Sequence, residues 1–253
     1  MCKSSWRHYN QSRDDQLVVP TDPQDRLAYP QDHGVYPQDC FAYNRTVLKP
    51  FHIDMMHLAF DDVFGPRALE KMIVANVKQD RLLGQIGHDE YHFDNNALEK
   101  SYAYIEEQRA WTIAALIRNN APSAWTAFGR LTHAAQDFYA HSNYIALWLS
   151  CQPDSAMPAP PEVDPLASDL INSPALRSGK VYFLEALTLI VPLKPLVMPL
   201  LPRNAHAWMN LDSPERGPRF QYAFQAAVKR TVIEFQRTTK DLPEDLLALF
   251  VDK

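Results

Sequence analysis

A polar stripe inside an apolar segment constrains this chain more than any other feature. In AWTAFGRLTHAAQDFYAHSNYIALWLS, residues 124–150, predicted as one helix introduced by Pro122 and Ser123, the side chains His133, Asp137 and His141 recur every four residues. Each helical residue turns by about 100°, so the three drift by only about 40° per step and share one face. Phe128, Leu131, Phe138, Tyr139, Tyr144 and Trp148 stand around them, so part of the stripe must enter an apolar interior. A buried carboxylate without a partner costs several kcal/mol, and a bound dication is one remedy. Imidazole and carboxylate suit zinc, and an HxxxD or HxxxH pair supplies two ligands without distorting a helix. The alternatives for the same residues are a hydrogen-bonded polar core in which Asp137 holds one histidine, or a set of surface residues on a wetter face.

Helical spacing continues through most of the chain. FHIDMMHLAFDDVFG carries Met55, Met56, Leu58, Ala59 and Val63 as a broad stripe, closed by Gly65 and Pro66. Pro66 suits the first turn of the next helix, RALEKMIVANVKQDRLL, where Leu69, Met72, Ile73, Asn76, Val77 and Asp80 can share one side. A third helix is predicted over about 97–118 from Tyr102, Ile105, Trp111, Ala115 and Leu116. A last one is predicted over about 219–239, with Phe220, Ala223, Phe224, Ala227, Val228, Thr231 and Phe235 buried. No run of alternating strand residues is convincing. Residues 51–253 are therefore expected to form one all-α, multi-helix domain, interrupted by a Pro-rich insertion at about 152–178.

Residues 1–50 differ: Pro, Gln, Asp and Tyr dominate, and a short element recurs as DPQD at 22 and YPQD at 29 and 36. Proline opposes helix there and few aliphatic side chains offset the ordering entropy, which predicts an extended or disordered arm. Cys2, Cys40 and Cys151 are too few and too scattered for a disulfide scaffold. No apolar run follows the basic residues near Met1, so the expectation is a cytoplasmic protein without a secretory signal. With 25 basic against 30 acidic residues, no stable nucleic-acid binding is expected. The apolar segment of residues 181–201 contains Glu185, Lys194 and several prolines, so it reads as packing or as a peripheral membrane contact and not as a span. Neither a GxSxG elbow nor a glycine-rich phosphate loop occurs.

A second polar patch, GHDEYHFDNN, offers His88 and His92 beside Asp89, Glu90 and Asp94. Together with LTHAAQDFYAHSNYIALW it resembles the signature of HET-C-like proteins, relatives of the zinc-dependent phospholipase C and P1 nuclease fold. The likeness extends more weakly through FHIDMMHLAF, ANVKQD and HAWMNLDSP. The resemblance implies a helical bundle of that type holding two or three zinc ions. It places His52, with His57 as competitor, at an early ligand. Asp80 falls at an aspartate linked to metal binding and water activation, and His92 at the ligand after it. His133 and Asp137 match the helical ligand pair, Asp137 able to bridge metals, and His141 the next histidine. His206, with Asp212, stands where a later histidine and glutamate complete another metal position.

The chain departs from that pattern in three places. An arm of about 50 residues precedes His52, where the secreted phospholipases use their own amino terminus as a ligand. No HxxxE follows His206, and Gln221 and Tyr222 stand near where relatives carry histidine. The implied activity is phosphodiester hydrolysis by metal-activated water, with Asp80 the catalytic candidate. The apolar segment favours phospholipid as substrate. A nuclease-type phosphodiesterase and a noncatalytic, metal-stabilised interaction module are the alternatives.

Overall fold

The computed structural model describes residues 50–85, 87–153, 157–189 and 191–253. The arm expected over residues 1–50, with Cys2 and Cys40, lies outside the described residues except for Pro50, which opens the first helix. The expected all-α multi-helix bundle is what forms: among the described residues there is no strand, only isolated bridges pairing Ser142 with Ser178 and Lys180 with Ala205. In order the helices are α1 (Pro50–Phe60), α2 (Pro66–Val77), α3 (Leu82–Gln85), α4 (Asp89–His92), α5 (Leu98–Ile117), α6 (Ala121–His141), α7 (Tyr144–Ser150), α8 (Ser168–Ile171), α9 (Lys194–Val197), α10 (His206–Met209), α11 (Arg219–Thr239) and α12 (Glu244–Val251).

The bundle is organised around α6, which packs against α2, α5 and α11, while α1 lies between α2 and α11. Its start is set by sequence: the Asn120 Oδ1 accepts from the Ser123 amide at 3.2 Å, and Pro122 sits in the first turn. Such a cap contributes about 1 kcal/mol. Most of α6 is buried, so it behaves as a core helix and not as a surface one. Close approach of α2 depends on Gly129, where an added Cβ would stand 2.3 Å from the Met72 carbonyl oxygen. At the far end Phe60, Phe64, Phe128, Phe235 and Phe250 form an aromatic cluster with centroids 5.1 to 6.5 Å apart. Each fully buried ring contributes about 1.5–3 kcal/mol.

The structure departs from three expectations. The segment 124–150 is two helices, because Ser142 is extended (φ −107°, ψ 169°) and its hydroxyl donates to the Phe138 carbonyl and accepts from the Tyr144 amide. Trp111, expected in the buried stripe of α5, is exposed. The second helix stops at Val77, and a 3-10 turn, Lys78–Asp80, carries Asp80 onward. The Pro-rich insertion is mostly irregular but anchored: Tyr139 and Tyr144 donate to the carbonyls of Pro165 and Asp164, each at 2.6 Å, and Lys229 donates to that of Val163 at 3.0 Å.

Candidate metal centre

Three helices and one turn bring the polar stripe together. His52 comes from α1, Asp80 from the turn after α2, His92 from the end of α4, and His133 and Asp137 from successive turns of α6. The Asp137 carboxylate lies at the centre and is fully buried. Its Oδ1 is 3.1 Å from His52 Nε2, while its Oδ2 is 2.8 Å from His92 Nδ1 and 3.2 Å from His133 Nε2. Asp80 completes the ring, 3.8 Å from His52 Nε2 and 3.9 Å from His133 Nε2.

These spacings fit one ion. Ligand atoms about 2.0–2.1 Å from a tetrahedral zinc lie about 3.3 Å from one another. Here the nitrogens of His92 and His133 face each other at 3.1 Å, an arrangement that two neutral imidazoles tolerate only if one donates to the other. Asp80, His92, His133 and Asp137 each offer a ligand atom within 4.8 Å of all the others. Two carboxylates among neutral imidazoles carry two negative charges, which a dication would balance. Burial pushes the His133 imidazole below its usual pKa, against the pull of Asp137 and Asp80, so it is held neutral, the form that ligates. Burial would raise the pKa of Asp137, but the charge of His141 and the hydrogen bond to His133 outweigh it and hold the carboxyl well below the usual range.

An outer layer orients the ring. His52 Nδ1 is 2.7 Å from Gln136 Oε1, which also accepts from Asn76 Nδ2 at 3.0 Å. Gln136 Nε2 donates to the Thr231 hydroxyl at 3.0 Å, and His133 Nδ1 lies 3.4 Å from Asn76 Oδ1. Fixing the second nitrogen of each imidazole sets which nitrogen points inward. Gln136 and Thr132, whose hydroxyl accepts from Asn76 Nδ2 at 3.1 Å, escape sequence reasoning because an amide or hydroxyl on a buried helix face is common; their role shows only once α2 and α11 are packed against α6. Beside this ring a small cavity, about 20 Å³, is lined by His52, Gln136, Asp137 and Asp212 together with Phe51, Met55, Leu211, Phe220 and Phe224.

A second cluster adjoins the first. Asp94 Oδ1 lies 2.7 Å from His206 Nδ1 and 3.4 Å from His141 Nδ1, and these three also offer ligand atoms within 4.8 Å. His141, expected beside His133 and Asp137, is turned here. Its Nδ1 donates to the His92 carbonyl at 2.8 Å, and its Nε2 is 3.1 Å from Asp212. Burial would lower its pKa, but Asp137, Asp212 and Asp94 raise it well above the ordinary imidazole value. Asp94 is recruited by backbone geometry: Phe93 is left-handed (φ 55°), so His92 and Asp94 point into different clusters. The cost of about 1–2 kcal/mol for that conformation is offset by full burial of the Phe93 ring against Tyr102 and Phe138. His57 and His88 stand apart, pairing with Asp61 at 2.7 Å and Glu90 at 3.1 Å.

One family model matches part of the chain. Residues 63–161 are similar to the VWA7 N-terminal domain. The matched stretch contains Asp80, His92, Asp94, His133, Asp137 and His141, and leaves out His52, His206 and Asp212. No curated protein and no solved structure matches the chain.

Proposed function

We propose that the chain is a zinc-dependent phosphodiester hydrolase of phospholipase C-like specificity. The observation that carries this is the convergence of Asp80, His92, His133 and Asp137, whose ligand atoms lie within 4.8 Å of one another, joined by His52 at 3.1 Å from Asp137. These residues would hold the metal, with Asp137 presenting one oxygen toward His52 and the other toward His92 and His133. Bound there, zinc supplies a Lewis acid for a phosphoryl oxygen and acidifies water. Asp80 is assigned the water proton, since a carboxylate beside a bound dication can accept in a hydrogen bond from water. Asn76 and Gln136 keep the imidazoles aimed inward. The apolar segment 181–201 is what favours phospholipid over a nucleotide as substrate. A cytoplasmic setting belongs to the same proposal and rests on the sparse cysteines.

A noncatalytic module with a structural metal is favoured by one observation: His133 and Asp137 are fully buried and the first cluster already offers four ligands. A structural zinc is closed by its protein ligands, whereas a catalytic one keeps an open position. The discriminating experiment assays zinc-loaded protein on phosphatidylcholine, on single-stranded DNA and on a small chromogenic phosphodiester, with Asp80→Asn alongside. Lipid hydrolysis that Asp80→Asn abolishes while zinc is retained supports the proposal. Hydrolysis of DNA alone moves the reading to a nuclease, and no turnover by zinc-loaded protein moves it to the module.

A further inference from the structure

The described residues of the stretch 177–209 form a small lobe with a core of its own, separate from that of the bundle. Val197, Leu201 and Ala205 are buried there under Tyr182, Leu184, Leu193, Met198 and Trp208. Polar contacts fix its shape. The buried Glu185 accepts from the amides of Tyr182 at 3.1 Å and Ala207 at 2.9 Å, and Trp208 Nε1 donates to the Met198 carbonyl at 3.1 Å. The lobe springs from a backbone clasp on the second cluster: the amides of Gly179 and His206 donate to the carbonyls of His141 and Lys180, at 2.9 and 2.8 Å.

The outside of this lobe is apolar where a folded surface ordinarily is not. Phe183 is 98% exposed, Leu196 and Leu200 are each 70% exposed, and Val181 is 51% exposed. Phe183, Leu196 and Leu200 sit on short helical turns that pack against one another, and Val181 precedes the first of them. Around them every exposed charge between 177 and 203 is positive: Arg177, Lys180, Lys194 and Arg203. The one acid in that stretch, Glu185, is buried and spends both oxygens on backbone amides. This local sign opposes the chain's formal net charge of −5. Exposed aromatic and aliphatic side chains rimmed by cations suit an anionic lipid surface, which takes the apolar groups below its headgroups and pairs the cations with phosphate and carboxylate.

We infer that the 177–209 lobe docks the protein on anionic phospholipid bilayers, with Phe183, Leu196 and Leu200 inserted and Lys180, Lys194 and Arg203 at the headgroups. The inference stands on the patch alone, and it gives the proposed hydrolase a membrane on which to meet its substrate. Its test is co-sedimentation of the full chain with vesicles of phosphatidylcholine alone and of phosphatidylcholine mixed with phosphatidylserine. Partition is the readout, so an inactive protein still reports. The wild-type chain is expected to prefer the phosphatidylserine vesicles. Phe183→Asp with Leu200→Asp should lower partition by about tenfold or more, since both insertions are lost. Lys194→Gln should lower it about fivefold, on the phosphatidylserine vesicles only. All three side chains are exposed, so thermal melting should be unchanged, which separates lost docking from lost folding. Failure of wild type to bind the anionic vesicles overturns the inference, as does equal binding by the Phe183→Asp, Leu200→Asp variant. Self-association that the same variant abolishes, without vesicle binding, overturns it in favour of a second copy as the occupant.

Discussion

Gly129→Ala tests whether the candidate centre depends on the close crossing of α2 and α6. The new Cβ would lie 2.3 Å from the Met72 carbonyl oxygen, 3.0 Å from the Met72 carbonyl carbon and 3.0 Å from the Ala75 Cβ. A backbone oxygen cannot swing away as a side-chain end does, and ordinary contact begins near 3.4 Å. The helices must separate by about 1 Å at this point, and overpacking of that kind costs about 1–3 kcal/mol. Alanine is the better helix former by about 1 kcal/mol, which offsets part of the loss. The net destabilisation is therefore up to about 2 kcal/mol, and a domain of this size loses about 2–4 °C in Tm for each. The same shift moves Asn76 and Asp80 away from His133, so zinc affinity should fall as well. The assay is a thermal melt of apo protein followed by a zinc titration. A Tm equal to or above that of wild type, with unchanged zinc affinity, would show that the crossing is looser than described and would refute the reasoning.

Zinc at about 100 times its Kd should stabilise the fold by about 2.7 kcal/mol, a rise of about 5–11 °C in Tm that chelator reverses; no rise in a calorimetric scan would count against the site. Glu234 receives Arg109, Arg230 at 2.5 Å and Arg237 at 3.1 Å in the core. Burial would raise its pKa, but Arg230 and Arg109 outweigh burial and hold it below the ordinary 4.5. Its stabilisation is thus present above pH 4.5 and lost as pH falls through the lowered folded-state value. Glu234→Gln should cost about 3–5 kcal/mol near neutrality and flatten the acid limb of a stability profile; an unchanged profile would argue against the ion network.

How much was legible in the sequence follows from the physics of each element. His133 and Asp137 were visible because four-residue spacing on one helix is a local property. The helices 66–77, 98–117 and 219–239 announced themselves by period, with Pro66 marking the start of the first. The break after His141 was hidden because Tyr144, Ile145 and Trp148 continue the apolar period across it, and the decision belongs to one serine hydroxyl and to Ser178, distant in sequence. Asp94 could not be assigned to His141 and His206 without the left-handed backbone at Phe93. Nor could α12 be foreseen, a helix of eight residues fixed by tertiary contacts such as Trp125 Nε1 donating to the Phe250 carbonyl at 2.7 Å. His52 prevails over His57 for a similar reason: one faces Asp137 across the bundle, while the other meets Asp61 at the surface.

The most direct measurement is metal content by plasma mass spectrometry on protein purified without added metal, comparing wild type with a His133→Ala, Asp137→Ala double variant. The account predicts zinc bound stoichiometrically by the wild type and lost from the variant while helical content persists. A wild-type protein that is folded and metal-free, or a variant that keeps its metal, would contradict it.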